Sequence, residues 1–268
     1  MNTLDKQLVI EQKVIELVQE IRRDQPYCGT KKLYQHIKDD LNQFNIKIGR
    51  DAVHKILKNN NLIVRKMKTH HITTLSKHQF YKFPNLIKNF IPTAPEQVFV
   101  ADITYIDCQE KPLYLHLVTD LYSKKLMGFE LSDNLKAESS LNALKMALNN
   151  RTYPTRPLIH HSDRGIQYCS KLYTEFTAKN EIRMSMTNNG DPYENAVAER
   201  INRTLKHEFG LKNRFVNYKI ALKATKLAVN IYNNVRLHLS CNMLTPQKAH
   251  IKANFKYKNW SKKYNCNC

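Results

Sequence analysis

Asp102 lies inside an apolar, β-rich run, Val98-Phe-Val-Ala-Asp-Ile-Thr-Tyr-Ile106. A charge in such a setting is costly unless it is paired or bound to a metal. Asp163 follows a second apolar run, Pro157-Leu158-Ile159, within His160-His-Ser-Asp-Arg-Gly-Ile-Gln-Tyr168. A carboxylate at a strand's end is held rigidly and still meets solvent, which suits a metal ligand; it equally suits a plain turn residue. Glu199 falls on a helix predicted over 196–209, whose apolar stripe is Val197, Ile201, Leu205 and Phe209. Glu199, Arg203 and Lys206 share the opposite stripe. An isolated Glu-x-x-x-Arg is most often a surface ion pair. Two carboxylates brought close together repel unless a cation intervenes. A set of hard oxygen ligands with room for water and phosphate is what Mg²⁺ or Mn²⁺ requires. The chemistry open to these residues is therefore divalent-metal binding, with Arg203 and Lys206 left to grip phosphate. Glu194 is a rival third ligand, ranked lower because Asp191-Pro192-Tyr193 reads as loop and cap.

The elements that must position these residues are legible from period. Ile10, Val14, Leu17 and Ile21 mark a helix over about 4–23, which Pro26 stops. Leu33, Ile37 and Leu41 mark a second helix after Gly29-Thr30. Val53, Ile56 and Leu57 mark a third, with Asp51 near its start. Two short helices joined through a glycine-containing turn look like a helix-turn-helix. The solvent face of the last carries Arg50, His54, Lys55 and Lys58, a contact set for phosphate or a groove, or simply solvated cations. Residues 1–68 thus read as a small all-α domain and 69–96, with Pro84, Pro92 and Pro95, as a linker. Three strands follow, at 98–106, around Leu113–Leu117 and over 125–131, close enough together for an antiparallel meander. Leu141, Leu144 and Leu148 give a helix, 158–161 a fourth strand, 168–180 a helix and 182–186 a fifth strand. Helices close the pattern at about 195–209 and 217–233. The fold class is α/β with a mixed five-stranded sheet over 97–252, before a basic aromatic tail, 253–268.

The formal charge of +20 is the strongest global signal. Residues 201–268 hold 14 Lys or Arg against one acid, Glu208. Such a surplus attracts polyanions and points to nucleic acid ahead of anionic lipid. The tail's aromatics interleaved with lysines suit stacking and phosphate neutralisation, and equally an ordinary solvated terminus. No secretory signal or membrane-spanning run is present, and six scattered cysteines without a C-x-x-C imply neither zinc nor disulfides. Reduced thiols fit a cytoplasmic location.

Asp-Ile-Thr-Tyr-Ile at 102–106, His-His-Ser-Asp-Arg-Gly-Ile-Gln-Tyr at 160–168 and Asn-Gly-Asp-Pro-Tyr-Glu-Asn-Ala-Val-Ala-Glu-Arg at 189–200 occur in that order, with 35 residues between Asp163 and Glu199. Together they resemble the integrase core of insertion-sequence transposases of the OrfB type, in the third numbered insertion-sequence family. The match runs on through Leu205-Lys206, Tyr232-Asn233, Arg236, His238 and Thr245-Pro246, and upstream to Tyr27-Cys-Gly-Thr-Lys-Lys-Leu33. Phe99 replaces the usual tryptophan, and Glu194 the usual aspartate before Asn195. His70-His71 lacks the cysteine pair of the retroviral zinc module.

The resemblance implies a ribonuclease-H-like fold and metal-dependent DNA cleavage and strand transfer. It implies Asp102, Asp163 and Glu199 as the catalytic triad holding two Mg²⁺ (or Mn²⁺) ions, with no covalent protein–DNA intermediate. It casts Lys206 and Arg203 as DNA contacts and His161 and Arg164 as groups that orient Asp163 or touch phosphate. Element ends and target DNA are the implied partners, bound by a homo-oligomer in a bacterial cytoplasm. An upstream-frame partner or fusion is expected to supply end recognition, since no leucine zipper is present. The rival readings are a nuclease of the same fold that cuts without joining, and an inactive DNA-binding remnant.

Overall fold

The computed structural model describes residues 3–64, 79–188 and 195–252, and the chain divides into two compact units. In the first, α1 (Thr3–Asp24), α2 (Thr30–Gln43) and α3 (Arg50–Asn59) enclose Val14, Val18, Leu33, Ile37, Leu41, Val53 and Leu57. These are the three expected helices. Gly29 and Gly49 precede α2 and α3 in extended conformation. The α2–α3 connection turns at Asn45 (φ 56°), a left-handed conformation that Asn tolerates.

The second unit is built on a five-stranded sheet of β1 (Val98–Ile106), β2 (Leu113–Asp120), β3 (Leu126–Ser132), β4 (Ile159–Ser162) and β5 (Arg183–Met186), in the order β3-β2-β1-β4-β5. β1, β2 and β3 form the antiparallel meander; β4 runs parallel to β1, and β5 to β4. Around the sheet are α4 (Ala137–Asn149), α5 (Ile166–Cys169), α6 (Lys171–Lys179), α7 (Ala196–Glu208), α8 (Tyr218–Asn234) and α9 (Pro246–Ile251). This is the mixed α/β architecture that the alternation of strands and helices predicts.

Strand parity sorts the two faces. Phe99, Ala101, Val118 and Met127 pack with Leu141, Leu144 and Ala147 of α4 and with Tyr168 and Tyr173 of α5 and α6. Val98, Val100 and Ile159 pack with Ala198 of α7 on the other face. Asp102 has the parity of Val98 and Val100, so its side chain leaves β1 on the α7 face.

Two local departures from the sequence reading have clear causes. The helix expected over 168–180 is two helices, because Ser170 is extended (ψ 148°) and its hydroxyl accepts the Tyr173 N–H at 3.3 Å, capping α6. A local side-chain bond there competes successfully with helix continuation. The described part of the expected linker, 79–96, has no regular secondary structure and still packs on the sheet. Leu86, Ile87 and Phe90 cover the α7 face, and the Leu86 N–H donates to Ser185 Oγ at 2.9 Å.

At its end, Glu96 is fully buried with φ 62°. It accepts from Arg151 Nε (3.0 Å), Thr152 N (2.6 Å) and Tyr153 N (3.0 Å), and its Oε1 lies 2.9 Å from His250 Nε2. Its own N–H donates to Asp120 Oδ2 at 2.6 Å. Burial would raise the Glu96 carboxyl, but the donors of His250, Thr152, Arg151 and Tyr153 win and hold it at about 2. This knot ties the start of β1 to the end of β2, to the segment after α4 and to α9. It therefore fixes the strand that carries Asp102.

Gly128 on β3 is where α4 comes closest. A Cβ there would lie 2.1 Å from Ala143 O and 2.6 Å from Ala147 N, both backbone atoms. Gly128→Ala is expected to cost about 3 kcal/mol or more and to lower the Tm by roughly 10 °C. Thermal unfolding followed by circular dichroism checks this; a Tm within about 2 °C of the parent would mean that α4 can lift off the sheet freely.

Candidate active site

β4 follows β1 in parallel register, with Val98 opposite Ile159 and Val100 opposite His161. Asp102 and Asp163 each lie two residues beyond the last of these pairs, Asp163 one residue past the end of β4 at Ser162. Neighbouring strands are about 4.8 Å apart. Asp102 faces α7 by strand parity, and the charge of Asp163 acts on it.

Asp102 is half-buried, and its Oδ1 accepts the Ile103 N–H at 2.9 Å. Its Oδ2 accepts from Asn202 Nδ2 of α7 at 2.6 Å. Despite these donors its pKa is pushed up to about 8, first by desolvation, then by the charge of Asp163, with Glu199 adding to it. Asp163 Oδ1 accepts the Gly165 N–H at 3.0 Å, closing a tight turn at the mouth of β4. A side chain at Gly165 would crowd that same oxygen, since its Cβ would sit 3.0 Å away.

Glu199 is exposed on the first turn of α7. Its pKa is raised by desolvation and by Asp163, while Arg203 pulls it down. Lys206, half-buried two turns beyond Glu199, has its pKa lowered by desolvation against the attraction of Asp102. The three carboxylates thus act on one another electrostatically. Among the described residues, no three His, Cys, Asp or Glu side chains are gathered as a metal-ligating group. The donor chemistry nevertheless suits a hard cation. The surroundings penalise the Asp102 anion, and Asn202 Oδ1 beside it is a buried acceptor with no partner among the described residues.

Asn202 and Asn195 were not singled out from sequence. Asn195 Nδ2 donates to Ala101 O at 3.1 Å and fastens the start of α7 to β1 next to Asp102. Asn202 occupies the i+3 position from Glu199, on the stripe shared with Lys206. A buried polar residue among helical cations was the available signal. The two histidines before Asp163 each have a partner in the sheet unit. His161 Nδ1 lies 2.8 Å from Ser185 Oγ of β5, and His160 Nε2 lies 2.8 Å from Tyr173 OH. Both are buried, and desolvation, with His161 beside it, takes His160 down to about 3. Both brace β4, His161 against Ser185 of β5 and His160 against Tyr173 of α6. Arg164 is half-buried and its Nε donates to Thr187 O at 2.7 Å, joining the loops after β4 and β5.

Of the remaining expected DNA contacts, Arg203 is exposed on α7, and Lys55 and Lys58 are exposed on α3. Arg50 is exposed too, with its guanidinium on Asp51 at 2.7 and 2.9 Å. Glu194, His70, His71 and the tail lie outside the described residues.

Residues 92–192 and 180–246 match two family models, each described as an integrase core domain. The insertion element IS600 uncharacterized 31 kDa protein of Shigella sonnei is 34% identical over 244 residues, spanning 90% of this chain and 86% of that protein. The transposase InsF for insertion sequence IS3fB of Escherichia coli (strain K12) is 30% identical over 229 residues, spanning 85% and 77%. InsF for IS3A of the same strain is 34% identical over 168 residues, 62% of this chain and 58% of that one. A chain of the simian T-cell lymphotropic virus intasome, solved with PP2A regulatory subunit B56 gamma, shares the fold. Its TM-score is 0.52 at 17% identity, covering 89% of this chain and 76% of that chain.

Proposed function

This chain belongs to the IS3-type insertion-sequence transposases built on an integrase core, and from this we propose how its residues carry out DNA transposition. As a polynucleotidyl transferase it breaks one phosphodiester bond and forms another. Asp102, Asp163 and Glu199 are the residues that would hold divalent cations, Mg²⁺ or Mn²⁺. Bound there, two such ions would supply the charge stabilisation that an in-line displacement at phosphorus needs. The observation that carries this reading is the Asp102 carboxylate. It is held by two donors, is raised to about 8 with Asp163 and Glu199 both contributing, and lies on the face of β1 that α7 covers.

The protein groups have separable tasks. Asn202 fixes the rotamer of Asp102, and Asn195 fixes the distance between α7 and β1. Lys206 and Arg203, on the stripe that carries Glu199, bind phosphates flanking the reacting bond. The side chains of the core donate no nucleophile; the attacking oxygen comes from water or from a DNA 3′-hydroxyl. The α2–α3 pair, with Arg50, Lys55 and Lys58 on its last helix, contacts DNA outside the core. The chain works as a homo-oligomer on DNA, with an upstream-frame partner contributing end recognition. No described helix is long and apolar enough to cross a membrane.

The test is strand transfer of a labelled element end with Mg²⁺, with and without the upstream frame, comparing the parent with Glu199→Gln. Joined products are expected from the parent. At least a hundredfold loss of joining is expected from the variant, with DNA binding kept within a few-fold. Cut products without joined ones would favour the nuclease reading. Equal joining by Glu199→Gln would remove Glu199 from the site.

A further inference from the structure

One side of α8 carries Lys219, Lys223 and Lys226, all exposed, opposite a buried side of Ala221, Thr225, Ala228, Val229 and Tyr232. The spacings i, i+4 and i+7 set the three lysines in a line along the helix axis. We propose that this line is a second DNA-binding surface, a track for the phosphates of one strand of duplex DNA that extends beyond the reacting bond. The proposal rests on the transposase reading and adds a location that the triad and α7 do not provide.

Three observations carry it. First, the repulsion is unrelieved. Like charges one turn apart cost a helix a few tenths of a kcal/mol each. Two other helical lysines are paired, Lys13 with Glu16 on α1 and Lys171 with Glu175 on α6. α8 contains no acidic residue, and among the described residues none of its three lysines forms an ion pair. One acid meets its first turn: Glu110 Oε2 accepts the Tyr218 N–H at 3.4 Å. There it complements the helix dipole.

Second, the spacing fits. At 1.5 Å per residue the line is about 10 Å long, and one strand of B-form DNA carries a phosphate about every 3.4 Å of axis. Because the strand also winds around that axis, a straight line of this length, with flexible lysine stems, serves two or three neighbouring phosphates.

Third, the place is set by the sheet. Tyr218 OH donates to Leu131 O at 3.0 Å, and the Asn233 carboxamide bonds both the N–H and the carbonyl of Leu126 at 2.9 Å. α8 is thus pinned along β3, two strands from β1 and so about 10 Å from it. Cations there cannot reach the reacting phosphate. Their contribution is affinity and register along the duplex, independent of base sequence.

The test uses the full chain and a fluorescent duplex of arbitrary sequence, with anisotropy measured across a range of NaCl concentrations. Replacing Lys219, Lys223 and Lys226 together by Gln is expected to reduce the slope of log K against log salt by about 2 to 3, at roughly 0.9 per lost phosphate contact. Affinity at low salt is expected to fall at least about tenfold, again from lost counterion release. The triple Lys→Arg variant should keep the parent slope, and both variants should keep the parent circular dichroism spectrum. A slope change of less than about 1 in the Gln variant would make the line an ordinary solvated face and overturn the proposal. So would loss of binding to phosphatidylserine vesicles with the DNA slope intact, which would assign the face to membrane. A parent chain with no salt-dependent DNA binding would overturn both this proposal and the transposase reading, so the two failures are distinguishable.

Discussion

Asp102→Asn is expected to abolish cutting and joining, by at least about a thousandfold, while making the metal-free protein more stable. The two effects have one cause. The Asp102 pKa sits at about 8 because burial and the charges of Asp163 and Glu199 penalise the ionised form. Between the ordinary carboxylate range and pH 8 the native chain therefore holds a proton that the unfolded chain has released. The sign follows: this residue's contribution to stability falls as pH rises through that window. An amide of the same shape never ionises and avoids the penalty. Asn202 can serve it as well, since its unpartnered Oδ1 can accept from the new Nδ2 after a half-turn of the carboxamide. Discounted for partial solvent access, the gain at pH 8 is on the order of 2 kcal/mol, or several °C in Tm. Melting curves of parent and variant from pH 5 to 8.5, without divalent ions, check this. The parent should lose stability towards high pH, and the variant should lack that component. An Asp102 held only for structural reasons would instead make the variant less stable at every pH.

Magnesium binding should be coupled to release of that same proton. Below pH 8 a cation that needs the Asp102 carboxylate must displace a proton, so its association constant should rise about tenfold per pH unit between pH 6 and 7.5 and level off above pH 8. Titration calorimetry in buffers of different ionisation enthalpy should report close to one proton released per binding event near pH 7. Asp163→Asn should remove most of the binding. It should also bring the Asp102 pKa down, because after desolvation the Asp163 charge is the largest influence raising it. Magnesium binding that is independent of pH would exclude Asp102 as a ligand, whatever the activity of the loaded protein. Divalent ions should likewise stabilise the parent against heat more at pH 7 than at pH 6, and Asp102→Asn hardly at all.

Much of this protein is legible along the chain, because local periodicity and charge need no knowledge of what lies across the sheet. Ile10, Val14, Leu17 and Ile21 report a helix wherever it packs. Leu113, Leu115 and Leu117 report a strand, and the near-absence of acids after Glu199 reports a surface that attracts polyanions. Asp102 stands out because a carboxylate in an apolar strand is expensive in any fold. The ordered motifs around residues 102, 163 and 199 carry the family resemblance through spacing alone, and the integrase-core matches agree with it.

Tertiary structure decided whatever depends on partners distant in sequence. Register between β1 and β4 brings the chain segments of Asp102 and Asp163 side by side, and the parity of Val98 and Val100 turns Asp102 towards α7. Asn202 reaches Asp102 across 100 residues of chain, which no local pattern encodes. His160 and His161 look alike beside Asp163, yet the pleat turns His160 to Tyr173 on the opposite face while His161, bonded to Ser185, keeps the side of its odd-numbered neighbours. Glu96 reads as linker, and only the convergence of Arg151, Thr152, Tyr153 and His250 on its carboxylate makes it a core residue. Period and composition are properties of neighbouring residues, whereas a buried polar group is defined by which distant partner satisfies it, and that partner exists only once the sheet has formed.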